Sequence, residues 1–258
     1  MIITLTTDFG LADPFVGMMK GVILGIAPGA QLVDLTHEIR SYDIVEAALI
    51  LDASYRYFPA GTVHVIVVDP GVGSERRPIA ATANGHVFVA PDNGVLSLVL
   101  DSDSVAVYEI TDRNLFPGPV SRTFHGRDIF APVAAHLARG TQVESVGPCI
   151  VDFIKRPFPA PRRQGGRMLG TVLRIDKFGN IITNLRLKDL GPEFSVRVAG
   201  VAVTKLRRSF SEGGPGEFFA IEGSAGFIEL ALNQGSAAER LKVELGAEIE
   251  VETKPVNQ

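Results

Sequence analysis

Val63-His64-Val65-Ile66-Val67-Val68-Asp69-Pro70 is an almost wholly apolar run that ends on a carboxylate and a proline. Such a strand is at home only when buried on both faces, the state of a central parallel strand with helices on either side. Working outward, Ile2-Ile3-Thr4-Leu5-Thr6-Thr7 reads as a first strand, and Asp13-Pro14 as a helix cap and first-turn proline ahead of a helix over 15–26, closed by Ala27-Pro28-Gly29. A second strand is expected at 31–35. Asp43-Ile44-Val45-Glu46 resembles a capping box, opening a helix whose apolar stripe is Ile44, Ala48, Leu51, Tyr55 and Phe58. Further strands are expected at 86–90 and 105–110, and a helix at 128–138 with Ile129, Val133 and Leu137 on one face and Asp128 as its cap. Strands alternating with helices predict an α/β domain with a mostly parallel sheet and flanking helices.

The chain changes character near residue 155. Residues 156–167, with Pro157, Pro159 and Pro161, have the composition of a linker. Beyond it, short strands are expected at 169–175, 181–185, 195–203, 217–222, 227–232 and 248–251, separated by Gly, Asn and Pro turns, the pattern of a small β-barrel or sandwich. The predicted organisation is an α/β domain over 1–155, a linker over 156–167 and a β-barrel domain over 168–258.

Composition narrows the function classes. Of 258 residues, 46% are hydrophobic and 21% charged, which fits neither disorder nor a membrane bundle. A net charge of −4 offers no field for nucleic acid or an anionic membrane. No window approaches ~18 uncharged apolar residues. The N-terminus has no basic region before its apolar run and reads as a strand, so a cytoplasmic location is expected. Cys149, the single cysteine, stands between Pro148 and Ile150 and reads as buried and inert. No His-x-x-x-His or Cys–His spacing suggests a metal site.

In an open parallel sheet, ligands gather beyond the carboxyl ends of the strands, which draws attention to Asp8 and Asp69. Asp8 has two readings: a carboxylate able to accept both hydroxyls of a vicinal diol, or an anchor for the next turn. Asp69 with Arg76 reads either as a loop-fixing ion pair or as chemistry, and its Gly71-Val72-Gly73 loop matches no phosphate-binding pattern. His125 lies in a loop, and reads either as an incidental surface residue or as a group suited to proton transfer near neutral pH. His64 reads as a packed strand residue, and His37, His86 and His136 have no partner motif. Asp176-Lys177-Phe178-Gly179-Asn180 and Gly223-Ser224-Ala225-Gly226 read as turns, as does Asp92-Asn93-Gly94. Phe178 could also offer a stacking face, Asn180 an amide, and Ser224 a hydroxyl.

Taken in order, Thr7-Asp8-Phe9-Gly10, Val67-Val68-Asp69-Pro70-Gly71-Val72-Gly73 with Arg76, Ala90-Pro91-Asp92-Asn93-Gly94, Phe124-His125-Gly126-Arg127-Asp128, Asp176-Lys177-Phe178-Gly179-Asn180 and Gly223-Ser224-Ala225-Gly226 resemble the S-adenosylmethionine hydroxide adenosyltransferases, relatives of the fluorinases and chlorinases. The resemblance spans nearly the whole chain. It implies an N-terminal α/β domain, a C-terminal β-barrel, and a homotrimer whose site forms between the N-domain of one subunit and the C-domain of its neighbour. The implied reaction is hydrolysis of S-adenosyl-L-methionine to adenosine and L-methionine at the ribose 5′ carbon, with no cofactor and no metal. Asp69, Arg76 and His125 match the catalytic trio. Asp8 would hold the ribose hydroxyls, Phe178 and Asn180 the adenine, Asp176 the methionine ammonium and Ser224 its carboxylate. Glu229 and Leu232 follow on the next strand, Leu232 with backbone contacts to adenine, and Tyr42 would line the pocket. Fluorinase-like members carry tyrosine in place of Asp69 and serine in place of Gly126, and have an insertion after the region of Arg76 that is absent here. A carboxylate would repel a halide, so hydroxide is expected over the halide-dependent alternative. A non-catalytic adenosine or S-adenosylmethionine sensor is the other alternative, and the intact trio argues against it.

Overall fold

All five residues of the strand at Val63–Val67 are buried, and its side chains alternate between two apolar layers. Val63, Val65 and Val67 join the core under the first and third helices, while Ile66 and the following Val68 join the core on the opposite face. The computed structural model describes residues 1–102, 104–191 and 193–253, so residues 254–258 of the expected second domain lie outside the described residues. It divides into two units, Met1–Pro157 and a second beginning at Phe158.

The first unit runs β1 (Ile2–Thr7), α1 (Phe15–Ile26), β2 (Gln31–Thr36), α2 (Ile44–Ser54), β3 (Val63–Val67), β4 (Pro78–Ala83), β5 (His86–Pro91), β6 (Val105–Glu109), α3 (Ala131–Ala138) and β7 (Cys149–Ile150). Among the described residues these strands form one seven-stranded sheet in the order β2-β1-β3-β5-β4-β6-β7. β2, β1, β3 and β5 are parallel, but β4, β6 and β7 run antiparallel. The expected mostly parallel sheet is therefore mixed. The cause is Asn84-Gly85: with φ of 52° and 78°, these two residues make a tight hairpin that turns β4 straight back into β5.

Local signals differ from expectation at three further points. Asp13 does not cap α1; Pro14 occupies the cap position and no side chain accepts there. Asp43 caps α2 by accepting from the Glu46 N–H, but Glu46 turns to the backbone N–H and Nε of Arg40, so only half the capping box forms. Cys149 is exposed, because β7 is an outermost strand with a partner on one side only.

The second unit contains β8 (Arg162–Gln164), β9 (Arg167–Ile175), β10 (Ile181–Thr183), β11 (Phe194–Val198), β12 (Val201–Val203), β13 (Leu206–Arg207), β14 (Phe218–Glu222), β15 (Ile228–Leu232), α4 (Ala237–Leu241) and β16 (Glu248–Thr253). The single strand expected at 195–203 is a hairpin, because Ala199-Gly200, with φ of 47° and 77°, reverses the chain between β11 and β12. β8 falls inside the expected linker and pairs with β9. Among the described residues the unit is one curled nine-stranded sheet, ordered β12-β11-β16-β9-β10-β15-β14-β13 with β8 beside β9. Its ladder ends at β12 and β13, giving a half-barrel in place of the expected closed barrel. Among the described residues no helix is long and apolar enough to cross a membrane.

At the amino ends of the parallel strands, His64 and His86 are buried together, 3.2 Å apart, with Thr4 2.8 Å from the other nitrogen of His64. The pair escaped the sequence reading because only the β3–β5 register joins residues 22 positions apart. Burial, reinforced by its neighbour His86, pushes His64 down to about 3, and burial also lowers His86. A folded value below the unfolded one means that these groups stabilise the fold above ~6.5 and that this contribution is lost as pH falls toward 3. The urea midpoint is expected to hold near neutral pH and to fall as acid is added, with a shallower fall in His64→Leu. A wild-type–variant difference that stays constant between pH 7 and 4.5 would refute this.

Candidate active site

β3 delivers Asp69 two residues past its end, and the glycine-containing loop that follows returns Arg76 to the same place. Arg76 grips the carboxylate with two groups: Nε lies 3.0 Å from both oxygens and Nη2 2.5 Å from Oδ2. Both side chains are more than nine-tenths buried. The same Nη2 lies 2.6 Å from His125 Nδ1. An arginine only donates, so Nδ1 accepts and the ring proton resides on Nε2. Burial first, and then the charge of Arg76, holds His125 below the usual histidine range. The trio is thus a carboxylate clamped by a cation, with a neutral imidazole behind the cation.

His125 owes its place to an irregular turn. Residues Gly126–Phe130 form a π turn that leads into α3. The reason is Pro132, which lacks an N–H and whose ring would strike the carbonyl four residues back in a regular helix. Asp128 therefore sits inside the turn instead of capping a helix. It accepts from the Ser121 N–H and from Arg127, whose guanidinium stacks 5.2 Å from the Phe124 ring.

Asp8 follows β1, and its Oδ2 accepts the Tyr42 N–H at 2.8 Å. Tyr42 holds a left-handed backbone, φ 70°, to make that contact. Burial and the charge of Asp69 raise the pKa of Asp8. Asp8, Tyr42, Asp69 and His125 line one open cavity of about 440 Å³, within the range of small-molecule sites. Its apolar wall is an edge-to-face cluster of Phe9, Phe15 and Phe124, with ring centres 5.3–5.9 Å apart. Sequence reasoning missed this wall, because its rings come from three separated segments. It also missed Asp13, which lines the same cavity.

The Asp92-Asn93-Gly94 motif is scaffolding for this edge. Asp92 accepts from Arg77 and from the Ile154 N–H, and Asn93 Nδ2 donates to the Val68 carbonyl just before Asp69.

In the second unit, Asp176 organises the β9–β10 turn. Its Oδ1 accepts the N–H groups of Phe178 and Asn180, and Oδ2 accepts Asn180 Nδ2 at 2.9 Å. Phe178 is left 76% exposed, an unusual state for an apolar ring. Glu229, on β15, lies against Gly223, where any added Cβ would collide with its carboxylate. Burial and the nearby Asp176 charge raise the pKa of Glu229. Ser224 is exposed at the β14–β15 turn, while Leu232 packs its side chain on the core of the unit.

Fold and site define an α/β enzyme whose charged groups gather beyond the carboxyl ends of its parallel strands. The chain belongs to the SAM hydroxide adenosyltransferase family: residues 3–147 match the family's N-terminal domain and residues 170–250 its C-terminal domain. A protein named (R)-S-adenosyl-L-methionine hydrolase from Thermus thermophilus is 42% identical over 93% of this chain and 95% of its own. Another of the same name, from Salinispora arenicola, is 39% identical over 96% of this chain and 97% of its own. A fluorinase from Nocardia brasiliensis is more distant, 28% identical over 97% of this chain and 96% of its own. The crystal structure of an uncharacterised conserved protein from Thermotoga maritima superposes with a TM-score of 0.89 at 38% identity, covering 97% of this chain and 99% of that one.

Asp92 is 3% exposed and its removal strands the Arg77 guanidinium and the Ile154 N–H. Asp92→Ala is expected to cost about 2–3 kcal/mol in denaturant unfolding. A loss within ~0.5 kcal/mol would show that the motif does not anchor this edge.

Proposed function

We propose that the protein hydrolyses S-adenosyl-L-methionine to adenosine and L-methionine. The observation that carries this reading is the clamped Asp69 carboxylate on the wall of a cavity of nucleoside size, beside Asp8. A water bonded to Asp69 attacks the ribose 5′ carbon in line with the sulfonium. The new C–O bond forms as the C–S bond breaks, with its electron pair passing to sulfur and extinguishing the positive charge. As the bond forms the water becomes strongly acidic, so even a carboxylate paired with arginine takes its proton and passes it to solvent. The leaving group is already activated by its charge, and the reaction calls for no metal or cofactor.

In this reading His125 is a positioning residue. Its Nδ1 is occupied by Arg76, so it fixes the guanidinium that aims Asp69. Asp8 holds the ribose hydroxyls and Tyr42 borders them. Phe178 stacks on adenine, Asn180 and the backbone of Leu232 meet its edge, and Asp176 takes the methionine ammonium, Ser224 its carboxylate, with Glu229 beside them. Asp69 also disfavours a halide nucleophile at the same place. The assembly we propose is a homotrimer acting in the cytoplasm, checked by light scattering for a mass three times that of the chain.

The decisive test is incubation with S-adenosyl-L-methionine in oxygen-18 water at low and high chloride, with mass spectrometry of the nucleosides. Adenosine labelled at the 5′ oxygen and insensitive to chloride is expected. Chlorinated nucleoside would move the protein to the halide alternative, and binding without turnover to a sensor. Asp69→Asn should lower kcat by roughly 10²–10⁴-fold with adenosine affinity nearly unchanged. Undiminished turnover would remove Asp69 from the chemistry. Asn180→Ala should raise the adenosine Kd by about tenfold, and calorimetry giving an unchanged Kd would overturn the adenine contact.

A further inference from the structure

On the other side of Arg76 and His125 lies a second cavity, of about 430 Å³, that shares His125 with the first. Its charged lining is Arg76, Arg113 and Arg122 against a single carboxylate, Glu109. Arg113 and Arg122 have no acidic partner among the described residues, whereas Arg76, which borders the same cavity, and the neighbouring Arg77 and Arg127 are each paired with an aspartate. Arg76 spends Nε and Nη2 on Asp69 and His125, and its buried Nη1 has no acceptor.

Arg113 is held by its side chain and Arg122 by its backbone. The Arg113 guanidinium lies 5.6 Å from the Phe116 ring, and Phe116 packs on the core. The loop at 71–76 presses on the loop carrying Arg122: Gly73 has φ +79°, and a Cβ there would fall 2.3 Å from the Arg122 carbonyl. Like charges gathered on one concave surface repel one another unless an anion lies between them, and the planar guanidinium fork matches the oxygens of carboxylates and phosphates.

We propose that this rear cavity binds a small oxyanion, of phosphate or carboxylate type, gripped by Arg113 and Arg122 with Arg76 as the charged floor. The site lies behind the trio, so its ligand does not compete with an adenosyl group in the front cavity. An anion there shares the field of Arg76 with Asp69 and loosens the hold on that carboxylate, which makes the occupant a modulator of the trio. The effect on turnover rests on the proposed hydrolysis; the binding does not.

The test separates the two. Calorimetric titration of the purified protein at low ionic strength with inorganic phosphate, and separately with acetate and with methionine, is expected to give one site per chain for at least one probe. Phosphate without acetate marks a phosphate-type ligand, and acetate or methionine without phosphate a carboxylate. The Arg113→Gln/Arg122→Gln double variant, altered only at exposed positions and checked by an unchanged Tm, should bind that probe at least tenfold more weakly. Asp8→Ala, in the front cavity, should bind it normally. Saturating adenosine should leave the Kd in place. Binding of none of the probes, equal affinity in the double variant, or displacement by adenosine would overturn the site. In turnover assays the bound probe should shift kcat in the wild type at constant KM and leave the double variant unmoved; a kcat indifferent to the bound probe would overturn the coupling to the trio.

Discussion

The Asp69–Arg76 ion pair is the contact on which the rest of the first unit turns. Two opposite charges more than nine-tenths buried are tolerable only together, because each alone would carry several kcal/mol of uncompensated desolvation. β3 ends where the carboxylate must stand, and the Gly71-Val72-Gly73 loop folds back so that the guanidinium can reach it. Arg76 also lies 5.2 Å from the Phe130 ring and donates to His125, so one side chain ties the central strand to the π turn ahead of α3. A strand end, a loop and a helix start are thereby held by a single charge.

The central strand was readable because nothing but two-sided burial explains six apolar or packed residues in a row. β4 was not, since Pro78-Ile79-Ala80-Ala81-Thr82-Ala83 is built mostly of small residues with little period. The better signal lay beside it: Asn84-Gly85 is the dipeptide that hairpins prefer, and giving it weight would have led to the mixed sheet. Cys149 misled for a related reason, as apolar neighbours in sequence do not reveal that a strand is the last in its sheet. The barrel expectation merged β11 with β12 and lacked β8 and β13, and whether a ladder closes depends on pairings far apart in sequence.

At the site, single residues at strand ends were legible and their surroundings were not. Asp8 and Asp69 stand where parallel strands present ligand-binding groups, and Asp176 and Asn180 fall in a turn whose residues announce it. The aromatic wall, the seat of Glu229 against Gly223, and the guanidinium that fixes His125 all come from residues apart in sequence. The two buried histidines at the opposite end of the sheet show the same limit, since neither has a local partner and each has the other.

The π turn at Gly126–Phe130 places the histidine by counting rather than by chemistry. Each helical residue adds ~100° of rotation, so a chain one residue shorter between His125 and Pro132 would swing the imidazole about a quarter turn from the guanidinium it now meets. Every remaining residue of that stretch could keep its identity and the trio would still be lost. In a gene encoding this fold, a three-nucleotide deletion there would cost more than most missense changes nearby, and a homologue aligned with a gap at that place should be expected to have built its trio differently.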